Sequence, residues 1–361
     1  MGWGGQEIRI FQESRLLLER GHRVTVICQP RSPLAERCAS LSDSRFDFHT
    51  IRMPGPLHPA SFTTLYRLLK KIRPDLLHTH SSIDSWQVSP IGKLLGIPLV
   101  RSRHVCIPVK NFFPNNRLYS YFPSRIITSG EAIRDLLLRL SGMDPERVVS
   151  IPAGVDLRRF DLQISGQRIR KELGVEVGKP LIGKIGVIRG WKGFQYFVEA
   201  VPLVLRERPD ARFVIVGTGP GYEEIKRKVR DQGLQDAVTL TGYREDVPEI
   251  IAALDVLVLA SFAGEGTSQV IPQAFAMKTP VVATRGGSIP ELFRNGDRGI
   301  LADIRSGRSL AEGILKLLVD PARARRMAEN AYAYCRKELT IGKMIDQTLA
   351  VYHEVLNSHG G

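Results

Sequence analysis

Residues 255–291 read DVLVLASFAGEGTSQVIPQAFAMKTPVVATRGGSIPE, and this stretch decides the fold. Val256 to Leu259 is an apolar run without polar alternation, the signature of a strand covered on both faces. A small, acidic loop follows over residues 261–268. A helix is predicted over 269–277 and a second buried strand over 280–283, closed by Gly286-Gly287. Strand, loop, helix and strand form the unit of an open α/β sheet, which binds ligands at loops leaving the carboxyl ends of its strands. Gly264, Gly266, Thr267 and Ser268 let backbone N–H groups approach an anion at a helix start. Glu265 sets an acceptor among those donors, which suits sugar hydroxyls better than phosphate.

The same alternation runs through the rest of the chain. A helix is predicted over residues 7–20, stopped by Gly21, and a strand over Val24–Cys28. Residues 29–60 are rich in Pro, Ser and Arg, with a short strand at 48–52. Residues 62–72 (FTTLYRLLKKI) carry apolar side chains at helical spacing beside Arg67, Lys70, Lys71 and Arg73. This reads as an ordinary amphipathic helix, with an interfacial membrane helix as the rarer alternative. In PDLLHTHSSIDSW, a strand ends at Leu76-Leu77 and alternation puts His78 and His80 on one side. Two histidines fall short of a metal site. A strand over 98–103 ends in Arg101, Arg103 and His104, which read as polar groups aimed at a crevice, with ordinary surface charge as the competing reading. Further strands are predicted over 125–129 and 146–151, with a helix starting at Glu131. In the second half a strand over 181–188 runs into Arg189 and Lys192, followed by a helix from Phe194. Gly217–Gly221 (GTGPG) breaks off at Tyr222, short of a dinucleotide fingerprint, so it reads as a tight turn. Strands at 212–216, 238–240 and 299–301 follow, with helices at 222–232, 247–253, 309–318, 321–338 and 341–357. Tyr352 and Leu356 are the expected packing face of the last helix.

The 255–291 block resembles the signature of the retaining family-4 glycosyltransferases of the GT-B fold. Their pattern is a Glu, seven residues, a second Glu, a small-apolar helix, a Pro-Val-Val-like strand and Gly-Gly. The first Glu is Glu265, while Gln273 stands where the second is usual. The resemblance implies an α/β chain of two facing Rossmann-like domains with a central cleft. Residues 1–160 would form the acceptor-side domain and 161–340 the donor-binding domain, with helix 341–357 packing back on the first. It implies a metal-independent transfer without cofactor, in which Glu265 contacts the transferred sugar and Gln273 meets the ribose, without charge assistance. Arg189 and Lys192 would grip the diphosphate, although Val187 occupies the usual Arg position. Gly242 and Tyr243 would lie against the nucleotide base. His80, Arg103 and the Gly4-Gly5 loop would face the reacting centre, with Asp84 orienting the acceptor hydroxyl. Members of this family carry a strand before the glycine loop. Here the first N-terminal strand is missing, so exposed strand edges and a low stability are expected.

With 361 residues, 43% hydrophobic and 24% charged, the composition is that of an ordinary globular protein of two domains. No apolar run reaches the length needed to span a bilayer. Cys28, Cys38, Cys106 and Cys335 show no metal-type spacing and read as free thiols in a cytoplasm. The net charge of +14 is uneven, with 23 Lys and Arg against 13 Asp and Glu in residues 1–160. A basic first half fits an anionic partner, either a lipid-linked or phosphorylated glycan acceptor or the inner face of the cytoplasmic membrane; a merely solvated basic surface is the equal alternative. No basic recognition helix points to nucleic acid. The expected activity is glycosyl transfer from a nucleoside-diphosphate sugar to an acceptor hydroxyl, in cell-envelope glycan or lipopolysaccharide biosynthesis. The alternative is an inactive nucleotide-sugar-binding or assembly protein on the same fold.

Overall fold

A computed structural model describes residues 3–56, 58–110 and 115–359. The chain divides into two compact units. One runs up to Pro152 and resumes from Ile341; the other is Ala153–Thr340.

The first unit contains α1 (Gly5–Glu19), β1 (Val24–Cys28), α2 (Pro33–Ala39), β2 (Phe46–Thr50), α3 (Pro59–Ile72), β3 (Leu77–Thr79) and α4 (Ser82–Leu95). It continues with β4 (Leu99–Arg103), α5 (Arg117–Ser120), β5 (Arg125–Thr128), α6 (Glu131–Leu138) and β6 (Val148–Ser150). All pairings are parallel. β1 pairs with β2, and β3-β4-β5-β6 form a second sheet. Among the described residues no strand joins β1 to β3 by hydrogen bonds, and no strand precedes α1. Ile27 of β1 nonetheless packs with Leu77 and Leu99 of the larger sheet, beside Leu65 and Leu69 of α3 and Ile91 of α4. The apolar stripe of α3 is therefore core, and its basic side chains Arg67, Lys70 and Lys71 lie on the exposed face.

The second unit contains α7 (Gln167–Glu172), β7 (Leu181–Ile185), α8 (Phe194–Glu207), β8 (Arg212–Val216), α9 (Tyr222–Asp231), β9 (Val238–Gly242) and α10 (Val247–Ala253). It continues with β10 (Val256–Leu259), α11 (Val270–Ala276), β11 (Val281–Thr284), β12 (Ile300–Ala302), α12 (Gly307–Val319) and α13 (Pro321–Glu338). Its six parallel strands run β12-β11-β10-β7-β8-β9. Both faces are covered, which is why the strands read as unbroken apolar runs. Ile182, Val256 and Val258 pack with Phe194, Phe197 and Val201 of α8 on one face. Leu181, Leu257 and Leu259 pack with Ile251, Ile271 and Phe275 on the other. Residues 153–160, placed above in the first domain, pack here instead: Val155 and Phe160 are buried in this core, and Val155 N–H bonds to Leu339.

The strand expected over 181–188 ends at Ile185, where Gly186 turns into the loop at φ +147°. The GTGPG segment is indeed a turn. A Cβ on Gly217 would lie 2.0 Å from the Gly186 carbonyl oxygen, so its glycine serves the close approach of two loops. The strand expected over 146–151 is shortened by a 3-10 turn at Pro145–Arg147, capped by Asp144.

The last helix, α14 (Ile341–Asn357), belongs to the first unit and packs on α1 and β5. Its buried face is Met344, Ile345, Thr348, Leu349, Val351 and Val355. Tyr352, half-buried, packs against that cluster as expected, while Leu356 lies outside it. No helix among the described residues is long and apolar enough to cross a membrane. Cys28, Cys38 and Cys335 form no disulfide, and burial raises the Cys38 and Cys335 thiols to about 12.

Candidate active site

In the second unit the strand order reverses between β7 and β10. That reversal is the topological switch point at which open α/β sheets bind ligands. The loop after β7 carries Arg189 and Lys192, and the loop after β10 carries Glu265. Folding brings the two together: Lys192 Nζ forms an ion pair with Glu265 Oε1, which also accepts from Ser261 Oγ at 2.7 Å. Glu265 is buried and Lys192 half-exposed. Two backbone bonds hold this arrangement. The Phe262 N–H reaches Trp191 O at 3.0 Å, and Ser288 N–H reaches Glu265 O at 3.2 Å. Gly193 adopts φ +67° and lies so close to β10 that a Cβ would fall 2.0 Å from Ala260 O.

Arg189 is exposed, with its guanidinium 5.6 Å from the Trp191 ring centroid, and has no ion pair among the described residues. Gly266 and Thr267 are buried, and Ser268 is half-buried. The N–H groups of these three donate to no acceptor among the described residues. The Thr267 hydroxyl is already engaged, accepting from Ala153 N–H at 3.0 Å. Gln273 lies one turn into α11, half-buried, with no hydrogen bond on its side-chain amide among the described residues. Gly242 ends β9 at φ +74° and accepts from Gly217 N–H at 2.7 Å, and Tyr243 beside it is exposed.

In the first unit, the carboxyl ends of β3 and β4 present a cluster of imidazoles. His78 and His80 rings lie 4.1 Å apart, and His104 stacks parallel to His80 with His80 Nδ1 3.2 Å from His104 Nε2. His78 Nδ1 lies 2.6 Å from the Tyr352 hydroxyl and its Nε2 2.8 Å from Ser102 Oγ. Arg9 and Glu13 of α1, both buried, form an ion pair at 2.8 Å, and Arg9 Nη1 donates to Ile151 O. Burial holds His78 and His104 well below the usual imidazole range, with Arg9 and His80 adding to the fall. His80 is lowered by burial against the opposing pull of Glu13 and Asp84. The three rings are thus neutral at physiological pH.

Glu13, His78 and His80 bring potential ligand atoms within 4.8 Å of one another. Arg9 already occupies Glu13 and both His78 nitrogens have partners, so the cluster is spent on hydrogen bonds and is poorly prepared for a cation. Asp84 caps α4, accepting from Ser81 N–H and His80 N–H, which takes it away from the acceptor role considered above. Arg103 donates to the Tyr119 hydroxyl and to Ile107 O. Gly4 precedes α1, its N–H held by Glu7 at 3.1 Å; Gly5 is the first residue of the helix. Sequence reasoning gave no role to Arg9, Glu13, Ser261 or Lys184. Lys184 left one trace, a lysine inside the apolar run LIGKI.

Parallel, helix-covered sheets in each of two units, with the loop chemistry gathered at a switch point, define a chain of the GT-B class. The match to solved GT-B structures agrees: a glycosyltransferase from Rickettsia africae superposes with TM-score 0.86 at 20% identity, covering 98% of this chain and 95% of that one. Anabaena HepE in complex with UDP-glucose superposes with TM-score 0.84 at 21% identity, covering 97% and 96%. Residues 3–159 match the model of Glycosyltransferase Family 4 and residues 179–320 that of Glycosyl transferases group 1, so the chain belongs to the family-4 glycosyltransferases. Among similar proteins, alpha-D-kanosaminyltransferase of Streptomyces kanamyceticus is 25% identical over 92% of this chain and 95% of its own. The UDP-Gal:alpha-D-GlcNAc-diphosphoundecaprenol alpha-1,3-galactosyltransferase of Escherichia coli is 26% identical over 96% and 92%. The chain is a glycosyltransferase.

Proposed function

We propose that this glycosyltransferase moves a sugar, with retention of configuration, from a nucleoside-diphosphate sugar to the hydroxyl of a lipid-linked or phosphorylated cell-envelope glycan. The observation that carries the donor side is the Lys192–Glu265 pair at the β7/β10 switch point, flanked by exposed Arg189 and by the undonated N–H groups of residues 266–268. Lys192 and Arg189 stabilise the negative charge that grows on the departing diphosphate, each charge-assisted contact contributing about 1.5–3 kcal/mol. Glu265, oriented by Lys192 and Ser261, accepts from sugar hydroxyls. Gln273 hydrogen-bonds the ribose, and Gly242 and Tyr243 flank the base. In a front-face transfer the bond from the anomeric carbon to the phosphate oxygen breaks and the bond to the acceptor oxygen forms. The acceptor proton passes to the phosphate. His80, Arg103 and the Gly4-Gly5 turn contribute on the acceptor side.

Two things support the acceptor class: the basic first unit with its exposed Arg67, Lys70 and Lys71, and the name of the Escherichia coli relative, whose acceptor is a diphosphoundecaprenol-linked sugar. The same charges would hold the protein at an anionic membrane surface by electrostatics alone, since the apolar stripe of α3 is buried. The reading is tested by incubating wild type and Glu265→Gln with UDP-, GDP- and ADP-sugars and undecaprenyl-linked acceptors, following product anomers by NMR. Retained configuration in wild type and a transfer rate lowered at least about 100-fold in the variant are expected. An inverted product, or equal rates, would overturn it.

A further inference from the structure

Lys184 is the one lysine of β7 and is 1% exposed. It shares a face of the sheet with Ile182, two residues earlier, which packs against α8. Its Nζ lies 4.4 Å from the ring centroid of Phe194, the first residue of that helix. It makes no hydrogen bond and no ion pair with any described residue. The charged groups acting on it are the two members of the neighbouring pair, Lys192 on the loop after β7 and Glu265 on the loop after β10, with opposite effects. Core apolar side chains could have filled this position, as they do at Ile182 and Val258. A buried amine with only a ring face beside it, and no hydrogen bond or ion pair, is costly as a cation.

We propose that Lys184 is a positioning residue of the donor site: an amine that stays neutral behind the Lys192–Glu265 pair until a nucleoside diphosphate docks there, then takes up a proton and adds a buried positive charge behind the leaving group. This rests on the donor reading given above. The physical chain is short. Burial pushes the amine down to about 7, Lys192 pushes the same way and Glu265 opposes. A diphosphate docked on Lys192 neutralises the repelling cation and adds anionic charge, so both changes favour the ammonium form. The step is balanced by one solvent proton bound per ammonium formed and returned when the product nucleotide leaves. Coulomb interaction in a low-dielectric interior is strong over several ångströms, so no direct contact with the ligand is required. By linkage, affinity for the nucleoside diphosphate rises as pH falls from above the amine's bound-state value toward its free-state value near 7, and levels off below.

Titration calorimetry of UDP, GDP and ADP into wild type and Lys184→Met tests this, run at pH 7.5 and 8.5 in HEPES and in Tris. Above pH 7.5 the terminal phosphate of the ligand is already ionised, its second pKa being about 6, so protons taken up from the buffer on binding go to the protein and not to the ligand. For the nucleotide that binds, wild type should take up a measurable fraction of one proton. Lys184→Met should take up less and bind about tenfold more weakly at pH 7.5. Uptake in wild type equal to that in the variant, or no uptake in wild type, with binding intact, overturns the role of Lys184 alone. Failure of every nucleotide to bind either protein overturns the donor reading and this inference with it. The wild-type measurement decides by itself should the variant fold poorly. A merely structural lysine would alter stability without altering proton uptake.

Discussion

Replacing Gly193 by Ala tests the geometry of the donor site most directly. Gly193 links Lys192 to α8 at φ +67°, and its missing Cβ would stand 2.0 Å from the carbonyl oxygen and 2.9 Å from the carbonyl carbon of Ala260. Two costs follow. A left-handed backbone costs alanine about 1–2 kcal/mol. The contact is with backbone, so no rotamer relieves it, and the loop or the end of β10 must move, at about 1–3 kcal/mol for overpacking of this kind. A loss of about 2–5 kcal/mol in a domain of this size lowers the melting temperature by at least about 5 °C. Moving the loop also separates Lys192 from Glu265, so one charge-assisted contact to the ligand, about 1.5–3 kcal/mol, is lost, or about 10- to 150-fold in affinity. Gly178→Ala is the control, since Gly178 has φ +85° but nothing within 4 Å of the added carbon. It should lose only the backbone portion and keep its affinity. Scanning fluorimetry and calorimetry with the best-binding nucleoside diphosphate measure both. If Gly193→Ala melts with Gly178→Ala and binds as wild type does, the close packing of the two loops and its role in binding are refuted.

Four further outcomes are expected. Lys192→Met should lower kcat/KM by about 10- to 150-fold and leave the Glu265 carboxylate without its cation, while Lys192→Arg should keep part of the activity; steady-state kinetics decide. Gln273→Glu should tighten donor binding by about fivefold, because a carboxylate forms the stronger bond to a ribose hydroxyl, and an unchanged Kd by calorimetry would count against the ribose contact. His78, His80 and His104 have folded-state values depressed below their unfolded ones. Their contribution to stability is therefore full above about pH 6.5 and lost as pH falls through the folded values. Melting temperatures between pH 7.5 and 5 should fall, and fall less in His78→Gln. Flotation with vesicles containing anionic lipid should recover wild type at low salt and not at high salt, and Arg67→Ser with Lys70→Ser and Lys71→Ser should weaken it.

Much of the fold was legible because buried parallel strands and amphipathic helices have distinct periods. The strand and helix around Phe194, and the block from Val256 to Thr284, stand close to where their patterns put them. Boundaries slipped where local chemistry ended an element early, as Gly186 does after β7 and the Pro145 turn does before β6. On α14 the expected face holds at Tyr352, which packs against the cluster, but not at Leu356, because Val351 and Val355 carry the buried stripe there. Asp84 looked like a site residue because an acid after two histidines is ambiguous in sequence; in the structure its neighbouring N–H groups claim it as a cap.

By its residue types alone, the sequence determined which loops carry cations, glycines and an acid, because those types must stand at strand ends to be useful. Only tertiary structure decided which of them meet. Lys192 and Glu265 are 73 residues apart, and they pair because β10 inserts beside β7 rather than following β9. The burial of Lys184 against Phe194, the stacking of His104 on His80 and the engagement of the Thr267 hydroxyl by Ala153 were decided the same way. Each depends on strand order and helix placement, which arise from the summed packing of both sheet faces and leave no mark at any single position.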